Sequence, residues 1–358
     1  MKNNIFDVLL ISVLLIGCSS DDDVLPPANG NPQDGDKGWL IPIVEVKDGG
    51  PGKDGIPSID SPHFVFANDT RAAYLKEDDL VIGLVMGDVV KAYPHPILDW
   101  HEIVNDKVGG ENITISYCPL TGTGFGWKGK VEGVSTTFGV SGLLYNANLI
   151  LYDRKTDSNW SQLGLQCVNG KQIGAVPELF RVVETTWSVW KSIYPNTQVM
   201  TLNTGFERSY GQYPYGFYKT KDDFLIFTVS PINNTLPNKE RVLVLIDDEI
   251  SKVYRFSKFG NGMAIKQKVS SRNYLVVGTS DFLVGYELTG DLINLTYTYD
   301  FNLGSDVTTI FFDNEGNKWS IYGEAISGPR KGQRLKTSKS VIGYWFAIAA
   351  FYPDPKIY

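Results

Sequence analysis

Leu80-Val81-Ile82-Gly83-Leu84-Val85, running on to Lys91 and Tyr93, matches Arg241-Val242-Leu243-Val244-Leu245-Ile246, running on to Lys252 and Tyr254, at an offset of 161 residues. Asn112 with Asn273 and Gly124 with Gly285 keep that offset. It falls to 160 for Asp153 with Asp313, to 159 for Trp160 with Trp319, and to 158 for Trp187, Tyr194 and Pro195 with Trp345, Tyr352 and Pro353. Chance matches scatter, whereas a duplicated unit with three single-residue deletions drifts in this way. The pattern predicts two tandem copies, residues 80–200 and 240–358. A leader over 39–79 is expected to pack on copy one, and a connector over 201–239 joins the copies.

Each copy reads the same way. Apolar β-branched runs at 81–86 and 242–246, and again at 113–117 and 274–277, are bounded by Gly, Asp or Asn and predict buried strands. Each copy then ends in an amphipathic helix stopped by proline. In copy one Thr185 or Thr186 is the expected cap, and Trp187, Trp190 and Tyr194 fall on one face before Pro195; copy two repeats this with Tyr344, Trp345 and Ile348 before Pro353. The fold class is therefore α+β, rich in strands, built from two tandem copies of one strand-rich unit. The connector carries Tyr210, Tyr213, Tyr215 and Tyr218. Packing between the copies is the reading preferred for it, with a sugar platform as the alternative.

Composition sets outer limits. The 358 residues are 42% hydrophobic, 13% aromatic and 20% charged, with 36 Gly and 18 Pro, which is ordinary globular usage and long enough for two cores. The 33 basic and 40 acidic residues give −7, which argues against a nucleic-acid partner. At the start, Lys2 precedes the apolar run Val8 to Ile16, too short to span a bilayer as a mature helix, and Leu15-Ile16-Gly17-Cys18 follows. This predicts a signal peptide over 1–17 that resembles a bacterial lipobox, with Cys18 lipidated by several acyl chains such as palmitate. Residues 18–38, with Asp21, Asp22, Asp23, Asp34, Asp36 and three prolines, read as a flexible acidic tether. The expected address is the bacterial cell envelope, on an outer-membrane lipoprotein facing periplasm or cell surface, and the expected partner is the membrane, through the Cys18 anchor.

A duplication lets the chain serve as its own control, because polar residues present in one copy only are better site candidates than those kept in both. Copy one has Trp100-His101-Glu102, Tyr117-Cys118-Pro119-Leu120-Thr121-Gly122 and Phe138-Gly139-Val140-Ser141-Gly142-Leu143. Copy two has Asn261-Gly262-Met263, Gly278-Thr279-Ser280-Asp281-Phe282-Leu283 and Thr298-Tyr299-Asp300-Phe301-Asn302-Leu303 at the matched places. Any chemistry is thus expected in copy one, with copy two structural. Cys118, at a strand end before a turn, is the candidate nucleophile or soft metal ligand, with His101 as base and Glu102, Asp106 or Asp153 as orienting carboxylate, and with Ser141 or Arg154 lining the site. The alternative is a packed thiol with His101 a core histidine on the stripe of Ile97 and Val104. A helix over 96–105 turning back along strand 112–118 would leave His101 and Cys118 roughly 14 Å apart unless it crosses the strand. Cys118 and Cys167 alone make no disulfide framework, and the histidines at 63, 95 and 101 lack zinc-site spacing. Gly122-Thr123-Gly124-Phe125-Gly126 reads as a turn. Metal, cofactor and ligand are not specified by these residues.

Ile56-Pro57-Ser58-Ile59-Asp60, Trp100-His101-Glu102-Ile103-Val104-Asn105-Asp106, Tyr117-Cys118-Pro119-Leu120, Phe138-Gly139-Val140-Ser141-Gly142-Leu143, Tyr152-Asp153-Arg154, Trp160-Ser161-Gln162 and Gly323-Glu324-Ala325-Ile326-Ser327-Gly328-Pro329 together resemble the domain-of-unknown-function 3179 family over about residues 53–358. The resemblance implies no established activity. Several members carry Cys-Pro-Leu-Cys, where this chain has Thr121, so it implies no two-thiol role here. Two functions remain in view: a site on Cys118 and His101, or a non-catalytic binding or assembly module whose copy-one motifs shape a pocket.

Overall fold

The computed structural model describes residues 38–247, 250–301 and 308–358. The expected signal peptide, Cys18 and residues 18–37 of the tether lie outside the described residues. The fold is β-rich α+β, with three seven-residue helices among the described residues: α1 (His95–His101), α2 (Trp187–Ile193) and α3 (Trp345–Phe351). The expected strands appear, extended by a residue or two, as Leu80–Met86, Glu111–Cys118, Arg241–Ile246 and Arg272–Gly278.

Three sheets of the first half have counterparts in the second, strand for strand. One runs Val183–Thr186, Leu80–Met86, Val89–Pro94, Gln198–Met200; the other runs Ser340–Tyr344, Arg241–Ile246, Ser251–Arg255, Lys356–Ile357. In both, the strand after the terminal helix is the parallel one. A second pair runs Leu179–Phe180, Thr123–Lys128, Glu111–Cys118, Ile103–Val108 against Lys336–Thr337, Leu283–Leu288, Arg272–Gly278, Met263–Val269. The third runs Phe138–Tyr145, Asn148–Asp153, Asn159–Ser161, Gln166–Asn169 against Tyr297–Tyr299, Phe311–Asp313, Lys318–Trp319, Ala325–Ser327. Trp187 and Trp345 each open a helix, and Tyr194 and Tyr352 each close one. Asp153 accepts from Trp160 Nε1 at 3.1 Å, and Asp313 from Trp319 Nε1 at 2.8 Å. The leader adds a strand at each of two edges, Val46–Asp48 on Phe138–Tyr145 and Phe64–Phe66 on Gln198–Met200.

Each terminal helix lies on the sheet of its own half and carries apolar side chains into the core of the opposite half. Trp345, Phe346, Ile348 and Phe351 of α3 share one apolar cluster with Trp127, Phe138, Ile150 and Trp160, while Trp187 and Trp190 of α2 share another with Leu275, Tyr286, Phe311 and Trp319. At about 1.5–3 kcal/mol for each large apolar side chain taken from water, the exchange ties the halves together. Thr186 holds the N-cap position of α2, yet its hydroxyl meets Ser188 rather than a backbone N–H, so the expected side-chain cap is absent.

Two local expectations are corrected. The helix expected over 96–105 ends at His101, because Glu102 takes φ +57° and Ile103 already pairs with Ser116. The 14 Å estimate falls with it, since Glu102 O accepts from Tyr117 N at 2.7 Å. The glycine-rich stretch is a turn only as far as Gly122, whose φ is +64°. Gly124 and Gly126 lie within a strand, where a Cβ would come within 2.6 Å of Ile82 and 2.4 Å of the Phe180 ring.

Candidate functional site

His101 and Cys118 are both buried, and they do not meet. His101 Nδ1 lies 2.7 Å from Pro57 O and Nε2 lies 2.8 Å from the Tyr210 hydroxyl. A carbonyl only accepts, so Nδ1 carries the proton and Nε2 accepts from Tyr210, which leaves no lone pair for a thiol. Burial lowers the His101 pKa further. Cys118 Sγ faces Ala147 O at 3.8 Å, and burial, followed by the nearby Glu102 carboxyl, pushes its thiol up to about 11. A nucleophilic thiol needs the opposite shift. Cys167 is likewise buried and free.

Glu102 does approach Cys118. As the residue closing α1 it is buried, its one side-chain partner among the described residues is the Tyr215 hydroxyl at 3.5 Å, and burial pushes its carboxyl up to about 8. The other expected carboxylates hold the fold instead. Asp106 accepts from Lys91 Nζ at 2.6 Å and Tyr93 at 2.7 Å. Asp153 accepts from Thr156 N at 2.6 Å and from Trp160, which organises a turn as Asp313 does in the second half. Ser141 donates to Ile150 O and accepts from Leu143 N, stabilising a bulge. Arg154 donates to Asp60 at 2.8 Å and Ser58 at 2.6 Å, and so clamps the leader.

The connector tyrosines converge on the copy-one turn. Beyond Tyr210 on His101 and Tyr215 on Glu102, Tyr213 donates to Pro119 O at 3.2 Å and Tyr218 to Leu120 O at 2.9 Å. From the second half, Tyr344 N donates to Thr121 O at 2.8 Å. The turn after Cys118 is therefore a junction of connector and both halves. Behind it, Thr121, Thr123, Asn148, Gln162 and Ser116 form a closed buried network, with Asn148 Nδ2 2.9 Å from Thr121 and Gln162 Nε2 3.0 Å from Ser116. In such a network every polar group has its partner, so it specifies packing.

Beside this junction is a set of buried ionisable groups that the copy-one motifs did not include. Glu184 pairs with Arg241 of the second half and lies 3.4 Å from His95 Nε2, misaligned for a hydrogen bond. Despite burial, Arg241 and His95 hold Glu184 down at about 2. Asp99 accepts from Lys219 of the connector at 2.9 Å, and burial raises its pKa. The His95 ring lies 4.1 Å from that of Tyr117, tilted by 43°, and among the described residues neither of its nitrogens has a hydrogen-bond partner. The signal for these was present in the sequence: His95, Asp99 and Glu184 face Phe256, Gly260 and Ile342 at the matched places of the second half.

Glu184 also lines a cavity of about 620 Å³ between the halves. Phe125, Leu163, Leu179 and Val183 form one wall; Leu243, Ile250, Val284 and Ile342 form the other. Arg181, Asp247 and Lys339 supply charge at this boundary. Arg181 stacks on Tyr286 at 4.5 Å, and Asp247 accepts from Tyr274 at 2.9 Å. No group of three or more His, Cys, Asp or Glu able to hold a metal ion occurs among the described residues.

A family model described as protein of unknown function (DUF3179) matches residues 53–355. The chain belongs to the DUF3179 family. No curated protein and no solved structure matches it. For this DUF3179 chain the match takes in the leader from Lys53, helices α1, α2 and α3, and the sheets of both halves apart from the edge strands Val46–Asp48 and Lys356–Ile357, so the family unit includes the terminal helices and the cavity between the halves. The residues that carried the resemblance, Pro57 to Asp60, His101 to Asp106 and Asp153-Arg154, serve in this DUF3179 chain chiefly to bind the leader to the first half.

Proposed function

We propose that the protein is a cell-envelope lipoprotein, acylated at Cys18, and a non-catalytic binding module made of two copies of one unit. Matched strand orders support the two-copy reading. The observation that carries the binding reading is the cavity of about 620 Å³ where the halves meet, apolar on both walls and charged at its edge through Arg181, Glu184 and Asp247. That size and lining suit a small amphipathic molecule, which would bury its apolar body and place a polar group by Arg181. Catalysis at Cys118 with His101 as base has no such support, because His101 is fully engaged and the thiol stays protonated. Ser141, Asp153, Arg154 and Asp106 contribute by holding the walls in place.

The test is binding of the apolar fluorophore 1-anilinonaphthalene-8-sulfonate to the folded full chain, compared with Leu179→Trp and Ile250→Trp, which fill the cavity from opposite walls. Both variants should keep the native circular dichroism and weaken binding about tenfold, a loss of about 1.4 kcal/mol. Unchanged binding in both would overturn the cavity as the site.

A further inference from the structure

The connector leaves an apolar stripe on the surface. From Phe224 to Ser230 the chain alternates: Leu225, Phe227 and Val229 pack into the core cluster that contains α3, whereas Phe224 and Ile226 face outward at 43% and 39% exposure; after the exposed Pro231, Ile232 also faces outward, at 70%. Period-two alternation normally puts polar residues on the solvent side, and here large apolar ones stand there. Ile232 is held outward from both sides. Ser230 exchanges two hydrogen bonds with Asn146, at 3.0 and 2.9 Å, and Asn233 O accepts from Trp345 Nε1 at 2.9 Å.

The stripe continues into the leader. The link is through the backbone: Ser230 bonds Asn146, Asn146 follows Tyr145, and Tyr145 pairs with Val46 of the leader, where Val44 at 78% and Ile43 at 43% are further exposed apolar side chains. Lys47 Nζ donates to Val44 O at 2.8 Å, placing an ammonium on this patch, and Lys221 stands by the Phe224 ring at the far end. Six residues separate Val44 from Gly38, and twenty separate Gly38 from Cys18, a contour of at most about 70 Å for the latter. The patch thus adjoins the root of the segment that leads to the proposed anchor.

We propose that this face, Ile43, Val44, Ile226, Ile232 and Phe224, rests on the lipid bilayer. The proposal builds on acylation of Cys18. Apolar tips entering the headgroup boundary are the chemistry of an interfacial contact; Lys47 and Lys221 flank them together with Glu45, Asp48, Asp222 and Asp223, so the contact rests on the apolar side chains rather than on net charge. A single such patch binds weakly alone; with the bilayer already within reach of the tether, the second contact becomes intramolecular. The consequence is a fixed orientation of the body on the membrane.

The experiment uses the full acylated chain in vesicles of phosphatidylethanolamine and phosphatidylglycerol, with a nitroxide on Ile232→Cys, Val44→Cys or, as control, Val134→Cys, an exposed position on a separate hairpin. Cys118 and Cys167 are buried and stay unlabelled. Labels at 232 and 44 should gain collisions with oxygen and lose collisions with an aqueous nickel chelate, whereas the label at 134 stays in water. Equal aqueous exposure at all three sites overturns the proposal while leaving the anchor intact. An N-terminal peptide whose mass lacks acyl chains refutes the anchor itself, and the proposal with it. Immobilised labels on a dimeric Cys18→Ser chain without lipid would assign the face to a second copy instead.

Discussion

His101 Nε2 lies 2.8 Å from the Tyr210 hydroxyl, 109 residues along the chain, and this bond settles what the histidine does. With Nδ1 on Pro57 O, the imidazole joins the leader to the connector across the first half. Cys118 does not meet it; the Glu102 carboxyl is the ionisable group that approaches the thiol, and burial with that carboxyl keeps the thiol protonated.

The Cys118 thiol should be inert in the native protein. With its pKa at about 11, the thiolate fraction at pH 7 is about 10⁻⁴, and the sulfur is enclosed. Titration with 5,5′-dithiobis(2-nitrobenzoic acid) should show reaction at Cys118 only at the rate of unfolding. A fast native reaction mapped to Cys118 would restore the nucleophile.

Glu102 should make stability fall with rising pH. Its folded pKa of about 8 lies above the ordinary 4.5, so the folded state holds the proton more tightly. The contribution is complete below about pH 4.5 and is lost as pH rises through about 8, at up to about 1.4 kcal/mol per unit between them. Glu102→Gln removes that slope, and the variant should be the more stable protein above pH 8 in urea titrations. Parallel profiles for the two proteins would show Glu102 ionising freely.

Neither half should fold alone. Residues 39–239 lack Trp345, Phe346, Ile348 and Phe351, which fill the core beside Phe138 and Trp160. Loss of four such side chains removes about 6–12 kcal/mol, comparable to the whole stability of a domain. Expressed separately, that half should show no cooperative thermal transition, and a sharp one would mean that the exchanged helix is dispensable.

Cys18→Ser should release the chain from the membrane fraction. Fractionation followed by immunodetection reads this directly, and a variant that remains membrane-bound after a high-salt wash argues against the lipid anchor.

Much of the fold is visible in the residues. The β-branched runs at 81–86 and 242–246 mark their strands because buried strands need that composition, and Pro195 and Pro353 end their helices because proline has no N–H to give. The site was less legible. Comparing the halves singled out Glu102 and Cys118, which do adjoin, but equally singled out Ser141 and Arg154, whose hydrogen bonds serve a bulge and the leader. His95, Asp99 and Glu184 differ between the halves too, yet none stands in a stretch that looks like a motif.

By itself the sequence determined the β-rich fold class, the positions of the principal strands and membership in the DUF3179 family, since these depend on local periodicity and on short ordered motifs. Only the tertiary structure decided that α2 and α3 reach into the cores of the opposite halves, that Tyr213 and Tyr218 close over the Cys118 turn while Tyr215 meets Glu102 and Tyr210 meets His101, and that the open volume lies between the halves. Periodicity tells which side of a strand is buried, and it carries no information about which distant segment buries it. Glu184 meeting Arg241 and Tyr344 meeting Thr121 are outcomes of long-range packing, which no local pattern encodes.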